Sequence, residues 1–219
     1  MHLLDSELGG SSQLSVLDVG CGAGRMLGPL SRYGEVAGID TSEELVRHCR
    51  ERGFERVSVG SACALPVPGG SVDLITLFDT IEHGADDGRV LEQCRDALTA
   101  DGMLFLSAAY QFLYANNDRL DHHQRRYTAR QLRHKLAAAG LDPIKVTYFN
   151  TLLFPLILPV VLLKKMVERR SVSNQTTNLS HEAPPLNRLL AATVSSERHL
   201  LSRISLPFGH SIIAMAKRT

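Results

Sequence analysis

The chain has 219 residues, which suits one domain with room for an insertion and is long enough to bury a sizeable core. Its formal net charge of +1 gives no case for a nucleic-acid surface. The four cysteines show no CxxC or CxxH spacing, so we expect reduced thiols, no metal site and a cytoplasmic protein.

The first residues, M-H-L-L-D-S-E-L, carry an acid at Asp5 and no long apolar run, which is not the pattern of a signal peptide. Residues 16–24, V-L-D-V-G-C-G-A-G, then predict a buried strand followed by a tight turn. Three glycines fall at alternate positions of this turn: Gly20, Gly22 and Gly24. Glycine tolerates positive φ and lets a ligand approach the backbone. Apolar residues at helical spacing follow in residues 25–32, so the pattern is strand, turn and helix.

This glycine turn fits neither of two common phosphate-binding patterns. In a G-x-G-x-x-G reading the third glycine would fall at Arg25 or Leu27, and the Gly-Lys-Ser/Thr of a Walker A loop is absent. Asp18, two residues before the first glycine, would repel a pyrophosphate and suit a cationic ligand instead. The string D-x-G-x-G-x-G resembles motif I of class I S-adenosylmethionine-dependent methyltransferases. A glycine turn that serves packing alone is the alternative.

The resemblance implies S-adenosylmethionine as cofactor, because this nucleoside carries an ammonium and a sulfonium and no phosphate. It also implies which residues of the turn hold the methionine part of that cofactor: Asp18, Gly20, Cys21, Gly22 and Gly24. Related enzymes usually carry one or two helices before this turn. Few residues precede it here, so we expect these helices to be missing. The alternatives are an open site, a lid from elsewhere in the chain, or a sequence that is a piece of a longer protein.

The second strand is predicted over residues 35–40 and ends in an acid, Asp40. An acid at this place can accept hydrogen bonds from both ribose hydroxyls. Its alternative role is to cap the next helix, for which Thr41 or Ser42 is equally suited. We therefore predict that Asp40 and Thr41 bind the cofactor, and that the following helix ends at Gly53.

A short third strand, residues 56–59, leads into the turn at residues 60–66, G-S-A-C-A-L-P. This turn resembles the adenine-binding turn of the same family, in which an acid usually contacts the adenine amino group. Ser61 stands at that place here, and a hydroxyl accepts the same hydrogen bond more weakly because it is neutral. The backbone of Ala62 and Cys63 is expected to face the edge of the ring.

The fourth strand is predicted over residues 70–78, and its end resembles motif IV of the superfamily. The resemblance implies that Phe78 and Asp79 lie beside the methionine part of the cofactor. His83 begins the following loop, where it is a candidate base near the transferred methyl group. Its alternative role is that of a structural loop histidine.

A helix over residues 86–99, a turn at 101–102 and a strand over 103–110 continue the alternation. Strands that alternate with helices predict right-handed crossovers and a doubly wound α/β sheet. The resemblance covers residues 14–149 and the last strand. It implies a seven-stranded, mostly parallel sheet in which the last strand, residues 210–217, is antiparallel and lies between strands five and six.

The long connection at residues 110–127 follows the fifth strand and therefore faces the cleft. Methyl transfer depends on holding the nucleophile in line with the methyl group, and an oxygen nucleophile must also lose a proton. A histidine can take that proton at neutral pH. We predict His123 as this base, with Tyr110 and Tyr127 as positioning groups. The alternative is that these residues only fix the loop. The adjacent pair His122 and His123, without further spaced ligands, makes no metal site.

The composition changes after the sixth strand, which is predicted over residues 142–150. We predict a methyltransferase core over 1–149 and 205–219, with a helical insertion over 150–204 that acts as a lid, a substrate wall or a homodimer interface. Residues 152–163 are apolar but too short and interrupted to cross a bilayer. Lysines and arginines follow at once, so contact of residues 152–170 with a membrane surface, or with a lipid-like substrate, is a further possibility.

These observations together predict a methyltransferase that acts on a small, apolar molecule, with oxygen as the first choice of acceptor atom and carbon or nitrogen next. Two alternatives stay open. One is a non-catalytic protein that uses the same fold as a scaffold or binding partner. The other is a peripheral membrane enzyme that methylates a lipid or a quinone.

Overall fold

The computed structural model describes residues 1–10, 13–83, 86–109, 127–152, 196–197, 201 and 203–218. The predictions for Tyr110 and His123, and for most of the insertion at 150–204, fall on residues outside these ranges. Ser196, Glu197, Leu201 and Arg203 are helical, in the region where the last predicted helix lies. The division into core and insertion stays a prediction.

Helices and strands alternate along most of the described chain. Their bounds are α1 His2–Leu8, β1 Leu14–Val19, α2 Leu27–Leu30, β2 Gly34–Asp40, α3 Glu43–Glu51, β3 Val57–Val59, β4 Val72–Phe78, α4 Asp87–Ala97, β5 Leu98–Ala109, α5 Ala129–Ala138, β6 Leu141–Phe149 and β7 Ser211–Arg218. The strands form one sheet in the order β3-β2-β1-β4-β5-β7-β6. Strand β7 runs antiparallel to both of its neighbours, and the other pairings are parallel. The predicted seven-stranded, mostly parallel sheet is confirmed, as is the place of its last strand.

Alternate residues of the central strands enter cores on opposite faces of the sheet, as the two-residue period of a strand requires. On one face α1 packs against apolar side chains of β1, β4, β5 and β7: Val16, Leu74, Met103, Phe105 and Met215. On the other face α4 and α5 cover the intervening residues: Leu17, Val19, Ile75, Leu77, Leu104 and Leu106. Both faces of β1 and β4 are thus buried, which leaves the carboxyl ends of these strands as the place where they can meet a ligand.

Side-chain caps fix where several helices begin. The Ser42 hydroxyl accepts a hydrogen bond from the Leu45 N–H at 3.3 Å, and the Thr128 hydroxyl accepts one from the Gln131 N–H at 3.2 Å. Such a cap is worth about 1 kcal/mol. Because Ser42 caps α3, the carboxylate of Asp40 is not needed for that role.

Two boundaries differ from the sequence predictions. Helix α2 covers only four residues, Leu27–Leu30, of the predicted 25–32. Strand β5 begins at Leu98, and the predicted turn at 101–102 is an irregularity within it: Val72 pairs with Leu98, whereas Leu74 pairs with Met103. No helix within the described ranges is long and apolar enough to cross a bilayer.

The third difference is α1, a short helix at the place where we expected none. Leu3 and Leu4 are buried in the first face of the sheet, and the Tyr33 hydroxyl donates to Asp5 Oδ1 at 2.7 Å. These few residues therefore cover part of this face, because the adjacent side chains of Leu3 and Leu4 both pack into its apolar cluster. No residue of α1 lies on the wall of the cavity described next.

Candidate functional site

A cavity of about 560 Å³ opens at the carboxyl ends of β1 to β4, a size typical of small-molecule sites. Its walls bring together eight of the predicted site residues: Gly20, Asp40, Thr41, Ser61, Ala62, Phe78, Asp79 and His83. Among the described residues, Gly60, Cys63, Thr80 and Val90 also line it. The sheet gathers these residues because parallel strands all end at one edge.

The glycine turn is tied to the end of β2 by backbone and carboxylate hydrogen bonds. The N–H groups of Gly20 and Cys21 donate to the Ile39 carbonyl at 2.8 and 3.0 Å. Asp40 Oδ2 accepts from the Gly22 N–H at 2.8 Å, and Oδ1 accepts from the Ser42 N–H at 2.9 Å. The Asp40 carboxylate is thus held rigidly at the cavity wall. Each of its oxygens keeps a further lone pair that can accept from a hydroxyl.

Gly20 shows why this turn requires glycine. Its φ is +74°, and a Cβ placed on it would lie 2.5 Å from the Thr80 side chain. Gly22 has a φ of +53°, with open space around its hydrogen. The two positions share the left-handed backbone, but only Gly20 is also restricted by a neighbouring side chain.

The structure shows how Asp18 is held, and its predicted role in cofactor binding stays a prediction. This carboxylate does not line the cavity; it is only 2% exposed, lies beneath the turn, and accepts a hydrogen bond from Thr76 Oγ1 at 2.6 Å. Burial raises the pKa of Asp18 to about 6, the charge of Asp40 adds to this rise, and the Thr76 hydrogen bond opposes it. Asp18 is paired in register with Thr76 of β4, so the two side chains lie on the same face of the sheet and meet there.

Cys21, Gly22 and Gly24 are likewise not part of the cavity wall. Cys21 is buried under the turn, where it packs with α3 and β3. The Cys49 thiol donates to the Gly22 carbonyl at 3.2 Å. These three turn residues therefore shape the site through the backbone and the packing beneath it.

Asp18→Asn is expected to stabilise the ligand-free protein at pH 8 by roughly 3 kcal/mol. The folded pKa of about 6 lies above the ordinary value of 3.8, so folding favours the protonated carboxyl. This contribution to stability is complete below pH 3.8 and is lost as the pH rises through 6. Urea unfolding of both proteins at pH 4 and pH 8 measures it. An equal pH dependence in the two proteins would contradict the assignment.

The turn after β3 presents neutral groups to the cavity. Ser61 is exposed, and its hydroxyl oxygen accepts from the Cys63 N–H at 3.2 Å. That N–H is consequently occupied within the turn. Ser61, Ala62 and Cys63 all lie on the cavity wall, and it stays a prediction that the backbone of Ala62 and Cys63 faces a ligand ring.

The opposite end of the cavity is formed where β4 ends. Asp79 has a φ of +50°, in the left-handed region that is uncommon outside glycine. Ser107 on the neighbouring strand β5 holds it: the Ser107 hydroxyl donates to Asp79 Oδ1 at 2.9 Å, and the Asp79 N–H donates to the Ser107 carbonyl at 3.2 Å. Thr80 is fixed by donation to the Val19 carbonyl at 3.1 Å. The wall therefore displays a carboxylate in one fixed orientation.

His83 and Tyr127 have different surroundings. His83 is exposed on the cavity wall, and its role as a base stays a prediction. Tyr127 is buried, and its hydroxyl donates to Asp87 Oδ2 at 2.8 Å, while Lys135 Nζ donates to Asp87 Oδ1 at 2.9 Å. Tyr127 is thus not on the described cavity wall, contrary to its predicted positioning role, and instead joins α4 to α5.

The sequence reasoning missed Thr80, Val90 and Ser107. Ser107 was hidden because its partner Asp79 lies 28 residues away, and only the register of β4 and β5 brings them together. Thr80 directly follows two predicted site residues, Phe78 and Asp79, just past the end of β4. That position in the sequence was a signal that could have identified it.

Comparison with known proteins found a family model and individual proteins to which this chain is similar. A family model described as "Methyltransferase domain" matches residues 17–106. A ubiquinone biosynthesis O-methyltransferase of Caulobacter vibrioides is 33% identical over 110 residues, which is 47% of this chain and 43% of that protein. A probable S-adenosylmethionine-dependent methyltransferase of Mycolicibacterium smegmatis is 30% identical over 135 residues, 58% of this chain and 51% of that protein. The chain thus spans about half the length of these curated relatives.

The fold of the whole chain is also found among solved structures. An S-adenosylmethionine-dependent methyltransferase from Mesorhizobium loti superposes with a TM-score of 0.65 at 17% identity, over 98% of this chain and 95% of that one. At this identity the likeness shows the fold alone. The matched family region, residues 17–106, contains all the cavity-lining residues named above.

Proposed function

We propose that this chain, whose residues 17–106 belong to the methyltransferase domain family and whose fold is that of the class I S-adenosylmethionine-dependent methyltransferases, transfers a methyl group to a small organic acceptor. The cofactor of this family is S-adenosylmethionine, which supplies an electrophilic methyl group on a sulfonium when bound. The chain's own residues bind that cofactor, orient the acceptor and exclude water.

The charge of the cavity wall is the observation that carries this proposal. Among the described residues that line it, Asp40 and Asp79 are acids, and none is a lysine or an arginine. Such a wall repels a pyrophosphate and attracts a cation. It suits a nucleoside that carries a sulfonium and an ammonium better than it suits a dinucleotide.

The residues present fit this cofactor from end to end. The Asp40 carboxylate is fixed by Gly22 and Ser42 and can accept from two ribose hydroxyls. The neutral turn with Ser61 and Ala62 would hold the adenine ring.

The acceptor atom we propose is oxygen, and the acceptor is a small, largely apolar molecule. The Caulobacter relative is named as an O-methyltransferase, which supports this choice. A hydroxyl must lose its proton during methylation, and an imidazole is the side chain whose ordinary pKa suits it to take a proton near neutral pH. His83 fills that role in this proposal; His123 and Tyr110 stay predictions outside the described residues.

Two functions compete with this proposal. One is a scaffold protein that transfers no methyl group, and the other is an enzyme that acts at a membrane surface through residues 152–170. Isothermal titration with S-adenosylmethionine, with its demethylated product S-adenosylhomocysteine and with NADH separates the first of them. We expect heat from the two sulfur nucleosides and none from NADH. No heat from either sulfur nucleoside, or heat from NADH alone, would contradict the proposal.

Transfer is tested with radiolabelled methyl groups and a panel of alkylated phenols, matched anilines and matched thiols. We expect label on the phenols, and a His83→Asn variant that binds the cofactor normally but loses at least tenfold in rate. Label on the anilines alone would replace oxygen by nitrogen as the acceptor. Flotation with anionic liposomes, compared with a variant in which Lys164, Lys165, Arg169 and Arg170 are alanine, tests the membrane-surface alternative.

A further inference from the structure

We propose that Cys21 and Cys49 form a redox-modification site beneath the glycine turn, and that their oxidation to a disulfide weakens cofactor binding. The effect on binding rests on the proposed function, because S-adenosylmethionine is the ligand whose affinity would change. The formation of the disulfide is independent of that function.

The two thiols meet under the turn. Cys21 stands between Gly20 and Gly22, and Cys49 lies in the last turn of α3. Both thiols face the carbonyl oxygen of Gly22, with sulfur–oxygen distances of 3.9 Å for Cys21 and 3.2 Å for Cys49. The two side chains also hydrogen-bond to each other and belong to one small apolar cluster. The pair is therefore already assembled in the reduced protein.

Two glycines give the sulfur atoms their places. A Cβ on Gly38 would lie 2.9 Å from Cys21 Sγ, and a Cβ on Gly24 would lie 2.9 Å from Cys49 Sγ. Gly38 lies inside β2, where a glycine weakens a strand and often marks the close approach of another group. Here the approaching group is the Cys21 thiol. Both sulfur atoms are thus confined to one small space, in which each has the other thiol as a neighbour.

The electrostatics of this space favour a neutral product. Burial raises the pKa of Cys21 to about 12, and negative charge at Cys49, Asp18 or Asp40 adds to the rise. Burial raises the pKa of Cys49 as well. Thiolates are therefore disfavoured here, whereas a disulfide removes both thiol protons and leaves no charge. Because the thiolate is the form that reacts, we expect the oxidation to be slow at neutral pH.

The oxidant we assign is a peroxide, since a small neutral molecule can approach the pair beside Gly22, whose hydrogen faces open space. One thiolate attacks an oxygen of hydrogen peroxide, the O–O bond breaks, and hydroxide leaves a sulfenic acid behind. The second thiolate attacks that sulfur, the S–O bond breaks, and the S–S bond forms as another hydroxide leaves. The hydroxides take up the two thiol protons. Two thiols are thus oxidised to one disulfide, and one peroxide is reduced to two waters.

The disulfide changes how the turn is held. In the reduced protein the Gly22 N–H donates to Asp40 Oδ2 at 2.8 Å, and the Gly22 carbonyl accepts from the Cys49 thiol. A disulfide has no S–H, so this carbonyl loses its donor. An S–S bond of about 2.05 Å is also shorter than any contact between two thiols, so it draws Cys21 towards α3. The adjacent Gly20 lies on the cavity wall, and we therefore expect the ligand to bind less tightly.

The test oxidises the protein with a small excess of hydrogen peroxide and maps its peptides by mass spectrometry. We expect two peptides joined through Cys21 and Cys49, with the loss of two hydrogens. By isothermal titration the oxidised protein should then bind S-adenosylhomocysteine at least about tenfold more weakly, because the turn has lost a hydrogen bond and its position. Reduction with dithiothreitol should restore the affinity.

Cys49→Ser is the matched control, because its hydroxyl can still donate to the Gly22 carbonyl but cannot form a disulfide. Measured against its own untreated affinity, this variant should change less than about twofold on oxidation. It retains Cys63 on the cavity wall, so any loss caused by oxidation of that residue appears here too. Cys94→Ala removes a buried cysteine of α4 and should keep the full response. Thermal melting checks that each variant is folded, and Cys21→Ser replaces Cys49→Ser if the latter is not.

Three results would overturn the inference. They are the absence of the joined peptides after prolonged oxidation, a disulfide-linked protein whose affinity stays within about threefold of the reduced form, and an equal loss of affinity in Cys49→Ser. Failure of the reduced protein to bind S-adenosylhomocysteine is a different result. It contradicts the proposed function and with it the claim about affinity, while the joined peptides still decide whether the disulfide forms.

Discussion

Asp40→Asn is expected to weaken binding of S-adenosylmethionine at least 100-fold. Both carboxylate oxygens already accept a backbone N–H, at 2.8 Å from Gly22 and 2.9 Å from Ser42. An amide has one oxygen, so its NH₂ would face one of these N–H groups as donor against donor. The ribose also loses a charged acceptor, which is worth about 3 kcal/mol or more for two hydroxyls. Isothermal titration measures the loss.

Asp73→Asn is the matched control for this experiment. Asp73 Oδ2 also accepts a backbone N–H from a neighbouring strand, that of Ser15 at 2.9 Å, and Oδ1 accepts from Thr99 Oγ1 at 3.1 Å. It lies near the start of β4, whereas the cavity lies at the carboxyl ends of the strands. We expect a loss of stability of about 1 kcal/mol in both variants, but unchanged cofactor affinity in Asp73→Asn. An affinity of Asp40→Asn within threefold of the unmodified protein would remove Asp40 from the site.

Gly20→Ala is expected to destabilise the protein by about 3 kcal/mol and to abolish measurable cofactor binding. The left-handed φ of +74° costs any residue with a Cβ roughly 1–2 kcal/mol. The new methyl group would also lie 2.5 Å from the Thr80 side chain, which is itself held by a hydrogen bond to the Val19 carbonyl. Urea unfolding and titration with S-adenosylhomocysteine measure the two effects.

Gly22→Ala separates backbone strain from this clash. Gly22 has a similar positive φ, but nothing lies within 4 Å of its added Cβ, so we expect a loss of only about 1 kcal/mol. Thr80→Ala in the Gly20→Ala background removes the clashing atoms and should recover the difference between the two single variants. Equal losses in Gly20→Ala and Gly22→Ala would show that the Thr80 contact does not restrict the turn.

The glycine turn and the acid that ends the second strand were predictable because each depends on neighbours in the chain. A buried strand, alternate glycines and a helix fix the path of residues 16–30, and Asp40 follows from one further strand. Helix caps such as Thr128 are equally local. The same reasoning overestimated α2, which covers only Leu27–Leu30 of the predicted residues 25–32.

Which side chains meet the ligand depended on strand register, which no local pattern contains. Thr76 and Asp18 lie 58 residues apart, and their hydrogen bond exists only because β1 pairs with β4. Tyr127 looked like a ligand contact because it is aromatic and close to predicted cleft residues, but it lies 40 residues from the buried Asp87 that it contacts.

By itself the sequence determined the α/β sheet, the glycine turn and the acid at the end of the second strand, because hydrophobic periodicity and turn chemistry act between residues close in the chain. Only the tertiary structure decided that Asp18 is buried while Asp79 lines the cavity. The reason is physical: a carboxylate at a strand end meets water or a neighbouring strand according to its register, and register is set by the packing of the whole sheet.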